Sequence, residues 1–344
     1  MKPVIIGLDI GGTNIKSILI DMAAPAILDK KQISTQASNG IATVIDNIIR
    51  LINGNIAAAS RLGCPVSVVG IGSAGLVENG MVRNSPNLPG WQESVPLHKL
   101  VKARLKSINL PIIVENDVNC FIMAEYTMGA AKGCSNAVGL AIGTGVGGGI
   151  IINGELVTGA HGGAGELGHM TVEIDGPLCK CGNSGCLEAM IGTDAIVERY
   201  RSLNSKACPE HGDSAKPANG FKIQKPVLST ANLPNVRMDS KFTVAEISVR
   251  AKRGEVAAVR TFTETGKILG VALANIANIF NPQVIVLGGG VAQAGRFLIE
   301  PAKKEMMKRA MPYNVKGLKI KMAKLGPVAG AVGAAILAYR YSAK

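Results

Sequence analysis

One pattern occurs twice in this chain and narrows its possible folds more than any other feature. An apolar run, residues 4–8, leads into Asp9-Ile10-Gly11-Gly12-Thr13-Asn14 and then a second apolar run, 15–20. The same order returns at 137–142, Gly143-Thr144-Gly145 and 146–152. Each pair is followed, far downstream, by an apolar run ending in small residues: 68–75 in the first half and 284–291 in the second. Two strand pairs with a glycine corner, each followed by a further strand, read as a diverged internal duplication. Pockets in such α/β architectures commonly lie between the repeated units.

The rest of the chain supplies what this arrangement needs. Helical spacing of apolar residues runs through 41–62, at Ile41, Val44, Ile45, Ile48, Ile52 and Ile56, and again through 118–128. Residues 330–339 form a small-residue helix suited to close packing. With 344 residues, 47% hydrophobic and 18% charged, intrinsic disorder is excluded for the whole. Aromatics are only 3% against 42 glycines, so the core must be built from Val, Ile, Leu and Ala, which favours α/β over an aromatic-rich sandwich. The stretch 204–240 is different. Pro209, Gly212, Pro217, Gly220, Pro226 and Pro234 break every period, and it reads as a loop or insertion, partly mobile.

The net charge of +13 invites a nucleic-acid reading. The basic residues Lys303, Lys304, Lys308, Arg309, Lys316, Lys319, Lys321 and Lys324 have no interleaved aromatics and no helix-turn-helix or zinc-finger spacing. They read as a solvated helix face and strand edge, and no nucleic acid is expected. A positive field also favours anionic small molecules such as nucleotides. The uncharged run 268–295 contains Asn275, Asn278 and Asn281-Pro282, so it reads as helix, turn and strand rather than a membrane span. Seven cysteines and an apolar start interrupted by Asp9 point to a reducing, cytoplasmic setting.

Four motifs carry chemistry. Asp9-Ile-Gly-Gly-Thr13 offers backbone N–H groups and a hydroxyl to a phosphate, with Asp9 placed to face a magnesium ion, or it is simply a hairpin corner. Gly143-Thr144-Gly145-Val-Gly-Gly-Gly is open to the same two readings. Neither fits the P-loop or the dinucleotide fingerprint. Glu115-Asn116-Asp117 lies between a strand at 111–114 and a helix; Asp117 is either the helix N-cap or a general base, with Asn116 orienting the same substrate. His169 with Cys179, Cys181 and Cys186 makes a closed tetrahedral zinc set, which is structural rather than water-activating. Glu166 and Glu188 flank it, either as surface acids or as acceptors for sugar hydroxyls. One nitrogen of His169 would bind the metal while the other N–H donates to substrate.

Taken in order, these motifs resemble the repressor, open-reading-frame and kinase (ROK) family of sugar kinases. Asp-Ile-Gly-Gly-Thr, Glu-Asn-Asp, Glu-Leu-Gly-His and Cys-x-Cys-Gly-x-x-Gly-Cys-x-Glu all stand where that family has them, and Pro86-Asn-Leu-Pro-Gly-Trp91 is similar to its bacterial glucokinases. The resemblance implies a hexokinase/actin-like, ribonuclease H-like α/β fold of two domains flanking a catalytic cleft: 1–118 plus about 325–344, and 119–324 with the zinc loop and the insertion. It implies ATP with magnesium, one structural zinc, a homodimer, and phosphoryl transfer to a hexose 6-hydroxyl. Glucose is preferred; N-acetylglucosamine, N-acetylmannosamine, fructose and mannose stay open. Asn87, Asn116, Asp117, Glu166, His169 and Glu188 match its sugar-contacting positions, and Gly288, Gly289 and Gly290 its adenosine loop. Ser73-Ala74-Gly75 departs from the family, which often has proline before that glycine. The same family contains sugar-responsive regulators; the strand beginning at Val4 leaves no preceding helix-turn-helix, which favours an enzyme.

Overall fold

The computed structural model describes residues 3–85, 88–105, 109–205 and 242–342. The first half begins with strands β1 (Val4–Ile10), β2 (Asn14–Asp21) and β3 (Ala26–Ser34), then helix α1 (Ile41–Arg61) and strand β4 (Val66–Ser73). A small hairpin, β5 (Leu76–Glu78) and β6 (Met81–Arg83), precedes α2 (Leu97–Arg104), β7 (Ile112–Asn116) and α3 (Asp117–Thr127). The second half opens with β8 (Ala137–Ile142), β9 (Val146–Ile152) and β10 (Glu155–Leu156), followed by α4 (Leu187–Ile191) and α5 (Thr193–Ser205). It continues with α6 (Val244–Lys252), α7 (Val256–Phe280), β11 (Val284–Gly288), α8 (Arg296–Arg309), α9 (Pro312–Val315), β12 (Lys319–Met322) and α10 (Ala329–Ser342).

The duplication appears as two sheets of identical plan. One has the order β3-β2-β1-β4-β7, the other β10-β9-β8-β11-β12. In each, the first three strands are antiparallel neighbours and the last two run parallel to the strand that opens the half. Both glycine corners therefore close hairpins. Parallel pairing also places the ends of β1, β4 and β7 together: Asp9 is level with Gly72, and Gly72 with Glu115.

Each sheet buries its outer face under its own helices. The first packs Ile6, Leu8 and Val69 against Val44, Ile48 and Ile52 of α1. The second packs Leu140, Ile285 and Leu287 against Phe262, Leu269 and Leu273 of α7. Between the sheets lies a third core, in which α3 and α10 supply Ile122, Met123, Val332 and Ile336 to Ile5, Val68, Ile151 and Val284. The approach is close because backbone meets backbone. A Cβ at Gly7 or Gly70 would fall 2.0 Å from a carbonyl oxygen of α10, and one at Gly333 would fall 1.7 Å from Cys120 O.

Several sequence expectations shift by a turn. The strand expected at 111–114 runs on to Asn116, and the one expected at 284–291 stops at Gly288, where Gly289 takes a left-handed φ of 85°. Most of the late basic residues lie on α8 and the edge strand β12, while Lys316 follows α9 and Lys324 follows β12. Lys303, Lys308 and Arg309 pair with Glu300 or Glu305 one turn back, and Lys321 Nζ donates to Ala130 O at 2.8 Å. Nearly all of the 204–240 stretch lies outside the described residues; Asn204 and Ser205 end α5. Among the described residues no helix is long and apolar enough to cross a membrane.

Candidate active site

Asp117 is the first residue of α3, at the end of β7. It is not the helix cap. Asn116 takes that role: its Oδ1 accepts from Val118 N at 2.9 Å and Asn119 N at 3.1 Å, and its Nδ2 donates to Gly75 O at 3.0 Å. The capping reading of Asp117 thus passes to Asn116. Asn116 is largely held in a structural role, and Asp117 is left with one local bond, from Val118 N at 3.0 Å. The Asp117 carboxyl is pushed up to about 6, first by burial and then by the negative charges of Asp9 and Glu166. Three acids from distant parts of the chain thus share one electrostatic neighbourhood: β1, the start of α3, and the turn that leads to His169.

Asp9 is half-buried at the end of β1. Burial raises its carboxyl, and Lys16 on the neighbouring strand, directly opposite in the pairing, lowers it. The glycine corner beside it is pinned by a residue that sequence reasoning did not single out. Thr35, fully buried, donates from Oγ1 to Gly11 O at 2.6 Å and from N to Thr13 O at 2.8 Å. Nothing in the sequence distinguishes this threonine from its neighbours, because its role depends on β3 lying beside the corner. Thr13 itself is exposed.

The second glycine corner is joined to three other segments. Glu188 Oε2 accepts from Val146 N at 2.9 Å and would lie 2.6 Å from a Cβ at Gly145. Thr193 N donates to Gly143 O at 3.0 Å. A Cβ at Gly289 would fall 2.2 Å from Ile142 O. Gly143, Thr144, Gly145, Glu188 and Gly289 are therefore brought together. Gly290 is exposed with open space where a Cβ would be, but Gly288 is buried against the Phe121 ring. Gly288 thus packs the end of β11 against that ring. Asn87 lies outside the described residues. Trp91, from the same motif, is fully buried in the first core.

His169, Cys179, Cys181 and Cys186 converge, their ligand atoms all within 4.8 Å of one another. Cys181 Sγ and Cys186 Sγ are 3.7 Å apart, and Cys179 Sγ is 3.7 Å from His169 Nδ1. A tetrahedron with metal–sulfur bonds of about 2.3 Å has sulfur–sulfur edges of about 3.8 Å. A disulfide would bring the sulfurs to about 2.05 Å. The donor set and its spacing therefore fit a closed zinc site. The ring nitrogen on the other side, Nε2, is 3.9 Å from Glu166 Oε2, so His169 faces the cluster with one edge and Glu166 with the other.

Twin sheets joined by a helix pair, each with a glycine corner after its first strand, make the actin-like ATPase fold. The chain belongs to the ROK family, which matches residues 5–341, and it is a sugar kinase. It is 32% identical over 339 residues to a glucokinase of Halalkalibacterium halodurans, covering 95% of this chain and 92% of that protein. It is 34% identical over 338 residues to a glucokinase of Thermotoga maritima, covering 96% of each. Among solved structures it resembles a ROK family glucokinase from Streptomyces griseus in complex with glucose and AMPPNP, at 31% identity and a TM-score of 0.71, covering 98% of this chain and 99% of that one.

Proposed function

We propose that this sugar kinase transfers the γ-phosphoryl group of ATP to the 6-hydroxyl of glucose, with Asp117 as general base. The observation that carries this reading is the setting of Asp117. Its carboxyl, raised to about 6, is ionised at neutral pH yet basic enough to take a hydroxyl proton. The glucokinase relatives support glucose over other hexoses.

Sugar hydroxyls are held by Glu166, the Nε2 edge of His169, Glu188 and Asn87, with the free N–H of Asn116 adding a donor. The corners at 11–13 and 143–145, with Gly289 and Gly290, cradle the nucleotide. Magnesium, bound with the nucleotide near Asp9, supplies charge neutralisation at the phosphates. His169, Cys179, Cys181 and Cys186 would hold a zinc ion, which would fix the loop that presents His169, Glu166 and Glu188. The two parts, 1–118 with 325–344 and 119–324, close over the substrates and exclude water, which otherwise competes as acceptor.

A panel of glucose, mannose, fructose, N-acetylglucosamine and N-acetylmannosamine with ATP, read as kcat/KM, tests the substrate. Glucose should lead. A higher kcat/KM for an N-acetylhexosamine would move the assignment to that sugar.

A further inference from the structure

At the opposite end of α3 from Asp117 lies a cavity of about 380 Å³, within the range of about 300–1,000 Å³ typical of small-molecule pockets. Its walls come from the last turns of α3 and α10 and from the 132–134 turn that joins the two halves. Tyr126, Ile336 and Tyr339 give it apolar faces, while Lys132, Arg340 and Thr127 give it polar ones. No acidic side chain lines it.

Two observations make this more than a surface dimple. The first is charge. The Lys132 ammonium has no ion-pair or hydrogen-bond partner among the described residues; only its backbone N is bonded, donating to Gly129 O at 3.4 Å. Among the described residues Arg340 is bonded only through Nη1, which donates to Gly154 O at 3.2 Å and to Met123 Sδ at 3.5 Å. Arg340 does offset the partial negative charge at the end of α10, but Lys132 sits on no helix and that account does not reach it. The second is connection. The same α3 that ends at the cavity begins with Asp117, and the same α10 begins with Gly330 packed on Asp9. Arg340 also bridges α10 to Gly154 in the β9–β10 turn of the other half. Gly133, at a left-handed φ of 84° with open space around it, lies in the connecting turn.

We propose that this cavity binds a phosphate monoester with an organic body, the class to which the reaction's own sugar phosphate belongs. Lys132 and the free nitrogens of Arg340 take the phosphate, as paired cations do. The rings of Tyr126 and Tyr339 and the side chain of Ile336 take the body. The choice of sugar phosphate rests on the proposed kinase reading; the anion site does not.

Cys134 lines the cavity and is half-buried, so its alkylation reports occupancy directly. Iodoacetamide labelling of the full-length protein, read by mass spectrometry at the Cys134 peptide, is compared with no addition, with glucose 6-phosphate, with inorganic phosphate and with ADP. Glucose 6-phosphate at ten times its dissociation constant should slow labelling about tenfold. Inorganic phosphate and ADP at the same concentration should protect less. Lys132→Ala should lose the protection while keeping the kinase rate measured without added sugar phosphate, and Lys132→Arg should restore it. Unchanged labelling with glucose 6-phosphate, or protection that persists in Lys132→Ala, overturns the site. Equal protection by inorganic phosphate overturns the organic body, and stronger protection by ADP overturns the sugar phosphate. A failed kinase panel would leave this footprint unaffected, so the two readings fail separately.

Discussion

Gly330, in the first turn of α10, lies against the Asp9 carboxyl so closely that a Cβ at Gly330 would fall 2.6 Å from Asp9 Cγ. The acid proposed to face the nucleotide's magnesium therefore rests on the backbone of a helix more than three hundred residues away in sequence. Gly330→Ala should favour the helix by up to about 1 kcal/mol but push Asp9 off its position, with overpacking costing about 1–3 kcal/mol. The expected result is a small change in thermal stability with a clear fall in kcat. Steady-state kinetics beside a melting curve would check it.

Asp117→Asn should lower kcat by about 10²–10⁴-fold, the usual range for a lost general base, with sugar binding changed far less. In the unaltered enzyme kcat/KM should fall as pH drops through about 6, because the base must be ionised. NMR titration of the Asp117 carboxyl in Asp9→Asn protein should give a lower value, since one negative neighbour is gone. A pH–rate profile flat through that range would contradict the role.

The same group carries a stability prediction of opposite sign. Its folded value lies above the ordinary 3.8, so the folded protein holds the proton more tightly than the unfolded chain does. The stability it contributes is full below about pH 3.8 and is lost as pH rises through about 6. At pH 7, Asp117→Asn should be more stable than the parent by about 1–3 kcal/mol, the lower figure reflecting its partial contact with solvent. Urea unfolding at pH 7 and pH 5 should show the gap narrowing at the lower pH.

Protein purified without added metal should contain about one zinc per chain, and Cys186→Ser should lose it. Losing the metal should raise the KM for sugar more than that for ATP, because Glu166 and His169 lie beside the cluster. Elemental analysis and a pair of KM titrations would decide it.

Gly289→Ala places a carbon where only 2.2 Å separates it from Ile142 O, at a φ of 85° that disfavours alanine. The clash would displace the strand end that carries Gly143. The KM for ATP should rise by more than the KM for sugar. Equal effects on both would point to general loosening of the second half.

Much of this was legible beforehand because it is written in local patterns. The twin hairpins follow from apolar runs broken by glycine, and the Cys–Cys–Cys–His set follows from spacing alone. What was not legible depends on neighbours distant in sequence. Asp117 looked like a good cap, yet Asn116 captured the N–H groups because its side chain is also held by Gly75 O. Gly288 and Gly289 are adjacent and identical in type, yet one meets Phe121 in the core and the other faces outward over Ile142. Thr35 gave no sign at all, since its partners are the carbonyl oxygens of a corner some twenty residues earlier.

The contact of Gly7 and Gly70 with α10 also bears on how the protein is made. Strands β1 and β4 are synthesised more than 250 residues before the helix that covers their inner face. Until it arrives, Ile5, Ile18 and Val68 have no α10 to cover them. At about 5–20 residues added per second, that exposure lasts roughly 15–60 seconds between β4 and the end of α10. A nascent chain stopped short of α10 should therefore aggregate more readily than one that includes it.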